Sequence, residues 1–346
     1  MDTLQKAFED AVTQIAKTAL TKDELEKLSE AIPARLEEAL FKLPHEILTS
    51  IKGKAAEGLK ERRDLHAEFV ERNIQRWQDA FDLLELHLEI ATEAGELFNQ
   101  RLRPEAAASG DILFDVLVRL HAKGCLVSKE ILCLLKNGYA DGAHARWRAL
   151  HEISVTAMFL ALKGTEAAQR FLDHRLVESY KGASQLRKYQ SRLNIVGFDD
   201  AELAQLKAQY DSIITKYGKD FKSTYGWAQP FLTSSNDTFF ALEEAVELDH
   251  WRPYYKWASQ NVHANAKTIE NSLGLCEAKE DMLQVGPSNS GMTDPAHSTT
   301  ISLSQLTCTL LTYTPNVDGL VMTKMLLSLS DEVGEAFIQC SEKAAI

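Results

Sequence analysis

Four residues that can do acid–base or anion chemistry crowd into less than two turns of one predicted helix: Arg146, Arg148, His151 and Glu152. At 3.6 residues per turn, Arg148 shares a face with His151 and Glu152, while Arg146 points about 200° away from Arg148. The rest of that helix is apolar, with Leu150, Ile153, Val155, Met158 and Phe159. Charge on such a helix is partly buried, so it must be paired or functional. A second segment places Ser259 and His263 four residues apart, with Asn265 just beyond. We expect it to face the first helix and complete the site. The structural alternative is an Arg148–Glu152 ion pair beside a core histidine, since ion-pair networks often have no catalytic role.

A basic stretch offers these residues an electrostatic partner. Between Lys163 and Arg192 there are seven Lys/Arg against three acids, in a chain whose net charge is −12. On one continuous helix Arg170, His174, Lys181, Lys188 and Arg192 form a stripe, with Tyr180 and Tyr189 placed to stack on bases. Such a stripe is either an RNA contact or a solvated face. The overall acidity excludes a general polyanion binder, so any nucleic-acid site must be local.

The elements around these residues read as helices. Gly (17) and Pro (8) are scarce over 346 residues and no sustained alternation of period two occurs, so the fold class is all-α, a multi-helix bundle. Residues 1–103 read as an N-terminal helical region. It begins with two or three short helices, one opened by the capping box Thr21-x-x-Glu24; Pro33 divides the pattern and Pro44 closes it. A long helix over 54–103, bent at Gly95, follows; its amphipathic pattern favours burial in its own core, and its length alternatively offers a surface to a partner protein. Residues 104–280 form the core, with helices over 111–136, 141–162, 166–194, 197–217 and 253–272 and a loop over 218–236. Residues 281–346 hold a loop over 284–297 and a C-terminal helical hairpin, 298–312 and 317–343, packing on the core. Asp141 reads as a helix N-cap.

Five cysteines without C-x-x-C spacing read as reduced thiols. With no signal peptide and no apolar run of spanning length, the expected location is the cytoplasm, with no membrane partner. Glu247-x-x-His250 has the spacing of half a di-iron site, but no second such motif exists. Phosphate-cradling glycine loops and zinc signatures are missing too, so no metal and no cofactor is expected.

From about Asp111 to Leu273 the chain resembles a bacterial helical family, domain of unknown function 5677. The resemblance rests on Trp147-Arg148-x-Leu150-His151-Glu152, on Ser259-x-x-x-His263, and on the tail GPSNSGMTDPAHSTTISLSQL with the helix after Asp318. It implies a fold and no activity. A second resemblance is to the higher-eukaryote and prokaryote nucleotide-binding (HEPN) fold, through Arg146-x4-His151, although Trp147 stands where a polar residue ordinarily follows the Arg. That resemblance implies a HEPN-like core, a metal-independent ribonuclease active as a toxin or anti-phage effector, and a homodimer, since HEPN-like sites usually form between two chains. Three functions therefore stay open. One is this ribonuclease, with Arg146, Arg148, His151, Glu152 and His263 at the site. Another is a non-enzymatic sensor or adaptor with a structural cluster. The third is a nucleotide-binding module that uses the cluster as an anion pocket.

Overall fold

The computed structural model describes residues 3–18, 21–233, 237–263, 266–270 and 272–343, and among them there is no strand. Helix α1 (Thr3–Thr18) is followed by α2 (Lys22–Ser109). The capping box opens α2 as expected: the Glu24 N–H donates to Thr21 Oγ1 at 3.3 Å, and the Thr21 N–H donates to Glu24 Oε2 at 3.0 Å. Of the expected short helices only α1 is found, because α2 runs 88 residues without interruption through Pro33, Pro44 and Pro104. Each proline removes one main-chain hydrogen bond. Strong helix formers on both sides, and only Gly53, Gly58 and Gly95 across the whole span, leave the chain no turn chemistry with which to stop. It stops at Gly110, whose φ of +65° suits a residue without Cβ, and the Asp111 N–H donates to Ala106 O at 2.9 Å.

The chain divides into two compact units, 1–69 and 70–346, with the division inside α2. In the first unit α2 keeps Leu36, Leu40, Phe41, Leu43, Ile47, Leu48 and Ile51 exposed.

The second unit holds the sites of interest. Helix α3 (Ile112–Lys136) starts on Asp111, whose side chain accepts from the Phe114 N–H. It ends at Asn137, and Gly138 with φ +84° turns the chain into α4 (Ala140–Lys163). So short a connection forces α3 and α4 to lie antiparallel. The predicted helix over 166–194 is broken at His174 into α5 (Thr165–Asp173) and α6 (Arg175–Leu193). Helix α7 (Asp200–Tyr217) opens on a second capping box, Asp199 with Glu202. The stretch read as a loop contains short 3₁₀ turns, and α8 (Phe239–Ala245) follows it. In place of a helix to residue 272 there are α9 (Arg252–Gln260) and the short α10 (Ala266–Glu270). Helix α11 (Thr293–Leu311) begins earlier than expected and takes in His297; α12 (Val317–Lys343) completes a hairpin with it.

Trp77, Phe81, Leu84 and Leu88 from α2, Val127 and Ile131 from α3, Trp147 and Leu150 from α4, Leu303 from α11 and Phe337 from α12 join one core. Two glycines permit close approaches between helices. A Cβ at Gly95 would lie 2.3 Å from the His121 ring, and one at Gly124 would lie 2.2 Å from Leu306. Gly95 is therefore a contact point between α2 and α3.

Candidate functional site

Helix α4 presents a column of rings along one face, because residues 144, 147 and 151 recur at spacings of three and four. The His144 ring stacks on Trp147 at 5.6 Å, and Trp147 packs against His151 at 5.4 Å. The Trp147 Nε1–H donates to Ser298 O at 2.8 Å and Ser302 Oγ at 3.0 Å, which ties α4 to α11. His144 is fully buried beside Trp257, and neither ring nitrogen has a hydrogen-bond partner. Burial pushes its pKa down to about 4, against the opposing pull of Asp141.

Among the described residues His151 has its polar partner in Glu243. Its Nε2 lies 3.0 Å from Glu243 Oε1, and the two side chains are 1% and 0% exposed. Arg252 Nη1 donates to the other oxygen, Glu243 Oε2, at 2.6 Å. Trp147, Phe239 and Tyr255 rings surround the imidazole. A chain of polar contacts thus joins α4, α8 and α9 through a carboxylate cut off from solvent.

Arg148 and Glu152 form the second half of the cluster, nearer the surface. Arg148 Nη2 lies 3.1 Å from Glu152 Oε1, and the same oxygen accepts from the Tyr255 hydroxyl at 2.5 Å. The Arg148 and Arg252 guanidinium groups each lie 4.9 Å from the centre of the Tyr255 ring. Burial raises the Tyr255 pKa, and the hydrogen bond to Glu152 raises it further. Tyr225 is pushed up to about 12, by burial first and then by the Glu152 charge. Both phenols therefore stay protonated in neutral solution. Two arginines and two glutamates in the cluster balance in formal charge.

The other expected site residues lie elsewhere. Arg146 faces α3 and pairs with Glu130. Ser259 Oγ donates to Tyr255 O at 2.7 Å within its own helix. His263 is exposed along a cleft of about 740 Å³ that is also lined by Tyr139, Asp141, Asn261 and Gln284, at the first turn of α4. Arg148 is two turns further along that helix, about 10 Å by helical rise. Helices α4 and α9 do meet, but through Tyr255 and Arg252, with His263 beyond the end of α9. Asn265 lies outside the described residues. Asp141 is not an N-cap: it sits inside α4, and its carboxylate accepts from the Leu273 N–H, the Gly274 N–H and Ser272 Oγ at 2.9, 3.1 and 2.6 Å. Three convergent donors outcompete the local cap, for which Tyr139 supplies no side-chain bond.

The basic stripe splits at the His174 break. Arg170 is 7% exposed and clamps the 218–233 segment: its Nε donates to Trp227 O at 2.9 Å and its Nη2 to Gly226 O at 3.2 Å. The His174 Nε2–H donates to Ser223 O at 2.8 Å, and Lys181 donates to Lys222 O at 2.7 Å. Tyr180 packs on Tyr210. Lys188 and Arg192 remain exposed, both beside the Tyr189 ring.

Sequence reasoning missed Glu243, Arg252 and the role of Tyr255. A signal for Glu243 exists: it is an acid in the apolar run Phe239-Phe-Ala-Leu-Glu243, where a buried carboxylate must find a partner. Among the described residues no group of three His, Cys, Asp or Glu side chains could hold a metal ion. No described helix is long and apolar enough to cross a membrane.

Residues 114–281 match a family of unknown function (DUF5677). The resemblance read from Trp147–Glu152 and Ser259–His263 is borne out over that span. No curated protein and no solved structure matches the chain.

Proposed function

We propose that the region matched to this family works as a non-enzymatic helical sensor or adaptor, with the His151–Glu243–Arg252 chain serving as an internal latch. The observation that carries this reading is the burial of the pair, 1% exposed at His151 and 0% at Glu243. A general base must come within hydrogen-bond reach of the proton that it takes. Here the His151 Nε2 is committed to Glu243 and aromatic rings close around the rest of the imidazole. Five free thiols, two of them buried, fit a cytoplasmic protein.

The metal-independent ribonuclease is the second reading. It is favoured by the exposure of Arg148, Glu152 and Arg252, whose side chains are 26%, 35% and 27% exposed at the edge of the same cluster. The exposed Lys188 and Arg192 would serve it as phosphate contacts.

One experiment separates the two. Purified protein is incubated with RNA in EDTA, as wild type and as the Arg148→Ala and His151→Ala variants, and each is unfolded in urea. The adaptor reading expects no cleavage by any form and a lower unfolding midpoint for His151→Ala. EDTA-resistant cleavage that Arg148→Ala abolishes without loss of stability would replace it with the ribonuclease.

A further inference from the structure

The first unit carries an apolar stripe that its own elements leave uncovered. Leu36, Leu40, Leu43, Ile47 and Ile51 follow one another at spacings of four, three, four and four along α2, and each is between 38% and 64% exposed. Spacings of three and four keep such residues on one side of a helix, the pattern that helix pairing uses. Pro44 lies within this stretch and Pro33 just before it, and each removes a main-chain hydrogen bond. A helix weakened in this way gains most from burying its apolar face against another helix.

Charge indicates what covers the stripe. Residues 28–39 contain three acids and one base, a net of −2, whereas residues 52–63 contain five bases and two acids, a net of +3. The two segments lie on either side of the stripe's centre. A second copy laid parallel would set acid on acid and base on base. A second copy laid antiparallel sets the acidic half against the basic half at both ends. The same alignment, centred between His45 and Glu46, brings Leu40 against Ile51 and Leu43 against Ile47 or Leu48 of the second copy. Leu36 then meets Ala55 and Ile47 meets Pro44, so every stripe residue faces an apolar one.

We infer that the chain forms a homodimer by antiparallel pairing of the α2 segment 28–63 with the same segment of a second copy. This interface involves none of the residues of the His151 cluster, so it stands whether that cluster is a latch or a nuclease site. Opposed charges at both ends fix the direction, and the aliphatic stripe supplies the adhesion.

Sedimentation velocity of the full chain at micromolar concentration tests the inference. A species of twice the 38.7 kDa chain mass is expected. The double variant Leu40→Glu, Ile47→Glu should be monomeric. All five tryptophans lie beyond residue 70, so unchanged tryptophan emission shows that the second unit still folds. For direction, Lys52→Glu with Lys54→Glu should weaken dimerisation at least tenfold, and adding Glu37→Lys with Glu38→Lys should restore it. A wild-type monomer overturns the inference, as does a dimer that survives Leu40→Glu with Ile47→Glu. A dimer indifferent to the lysine reversals overturns the antiparallel arrangement.

Discussion

Nε2 of His151 and Oε1 of Glu243 lie 3.0 Å apart although 92 residues separate them in the chain, and neither side chain reaches solvent. The carboxylate's second oxygen accepts from Arg252, whose guanidinium is 27% exposed. Glu243 thus links the interior of α4 to the edge of α9. The arrangement leaves little freedom at His151, and it makes α8, a helix of seven residues, a structural keystone through one side chain.

Removing either partner strands the other. Glu243→Leu leaves Arg252 and His151 without their acceptor, and His151→Leu leaves a buried carboxylate held only by Arg252. Breaking a buried pair in this way costs about 3–5 kcal/mol. Urea unfolding should show each single variant destabilised on that scale, and the double variant by less than the sum of the two. Additive losses would mean that the pair is not coupled.

Three buried histidines make stability depend on pH. His87, His121 and His144 are 0%, 4% and 0% exposed, and burial depresses each pKa to about 4. Below about pH 6.5 the unfolded chain binds protons that the fold refuses, so ΔG of unfolding declines as pH falls from 6.5 towards 4. Each histidine contributes a loss of about 3 kcal/mol over that window, taking about 1.4 kcal/mol per pKa unit. Asp115, held below its usual range by Arg119 and then Arg103, loses its contribution only at more acid pH, whereas His174 and His297, also lowered by burial, act in the same direction as the three. Over the histidine window urea midpoints should fall steadily, and His121→Gln should reduce the slope by one proton. A flat profile would contradict this account.

Gly95 and Gly182 should respond oppositely to the same change. Both are helical, and alanine adds about 1 kcal/mol of helix propensity at an open position. Nothing lies within 4 Å of a Cβ at Gly182, so Gly182→Ala should stabilise by roughly that amount. At Gly95 the new methyl would meet the His121 ring at 2.3 Å and displace its 3.0 Å contact with Thr307. Overpacking of this kind costs about 1–3 kcal/mol, more than the propensity gain. Thermal midpoints that shift the same way would refute the close packing.

Local chemistry made parts of this fold readable. Asp111, Asn137-Gly138 and the Thr21 capping box mark helix ends by bonds within a few residues, and α3 and α4 lie within a residue or so of their expected limits. The prolines misled, because a rule about single residues was set against long runs of strong helix formers. Arg148 and Glu152 were legible as a pair since they are four apart on one helix. Glu243 was not: its partner is remote in sequence, and its helix is too short to show a period. Asp141 looked like a cap for the same reason, since its real donors at 272–274 lie more than a hundred residues away. The expected basic stripe assumed one straight helix, and the break at His174 turned its first half inward.

That turn yields a last contrast, between Arg170 and the pair Lys188 and Arg192. Arg170 spends its guanidinium on the Gly226 and Trp227 carbonyls, and it also stacks 4.5 Å from the Tyr217 ring centre. Lysine has no planar fork with which to reach two carbonyls and a ring together, so Arg170→Lys should behave much like Arg170→Leu. Both should lower the thermal midpoint, shift the Trp227 emission and speed proteolysis within 218–233. Lys188→Ala and Arg192→Ala, exposed on α6, should stay within about 0.5 kcal/mol of wild type. If instead Arg170→Lys is neutral in all three measurements, the clamp is not what holds that segment, and Arg170 becomes available again as a contact for a ligand.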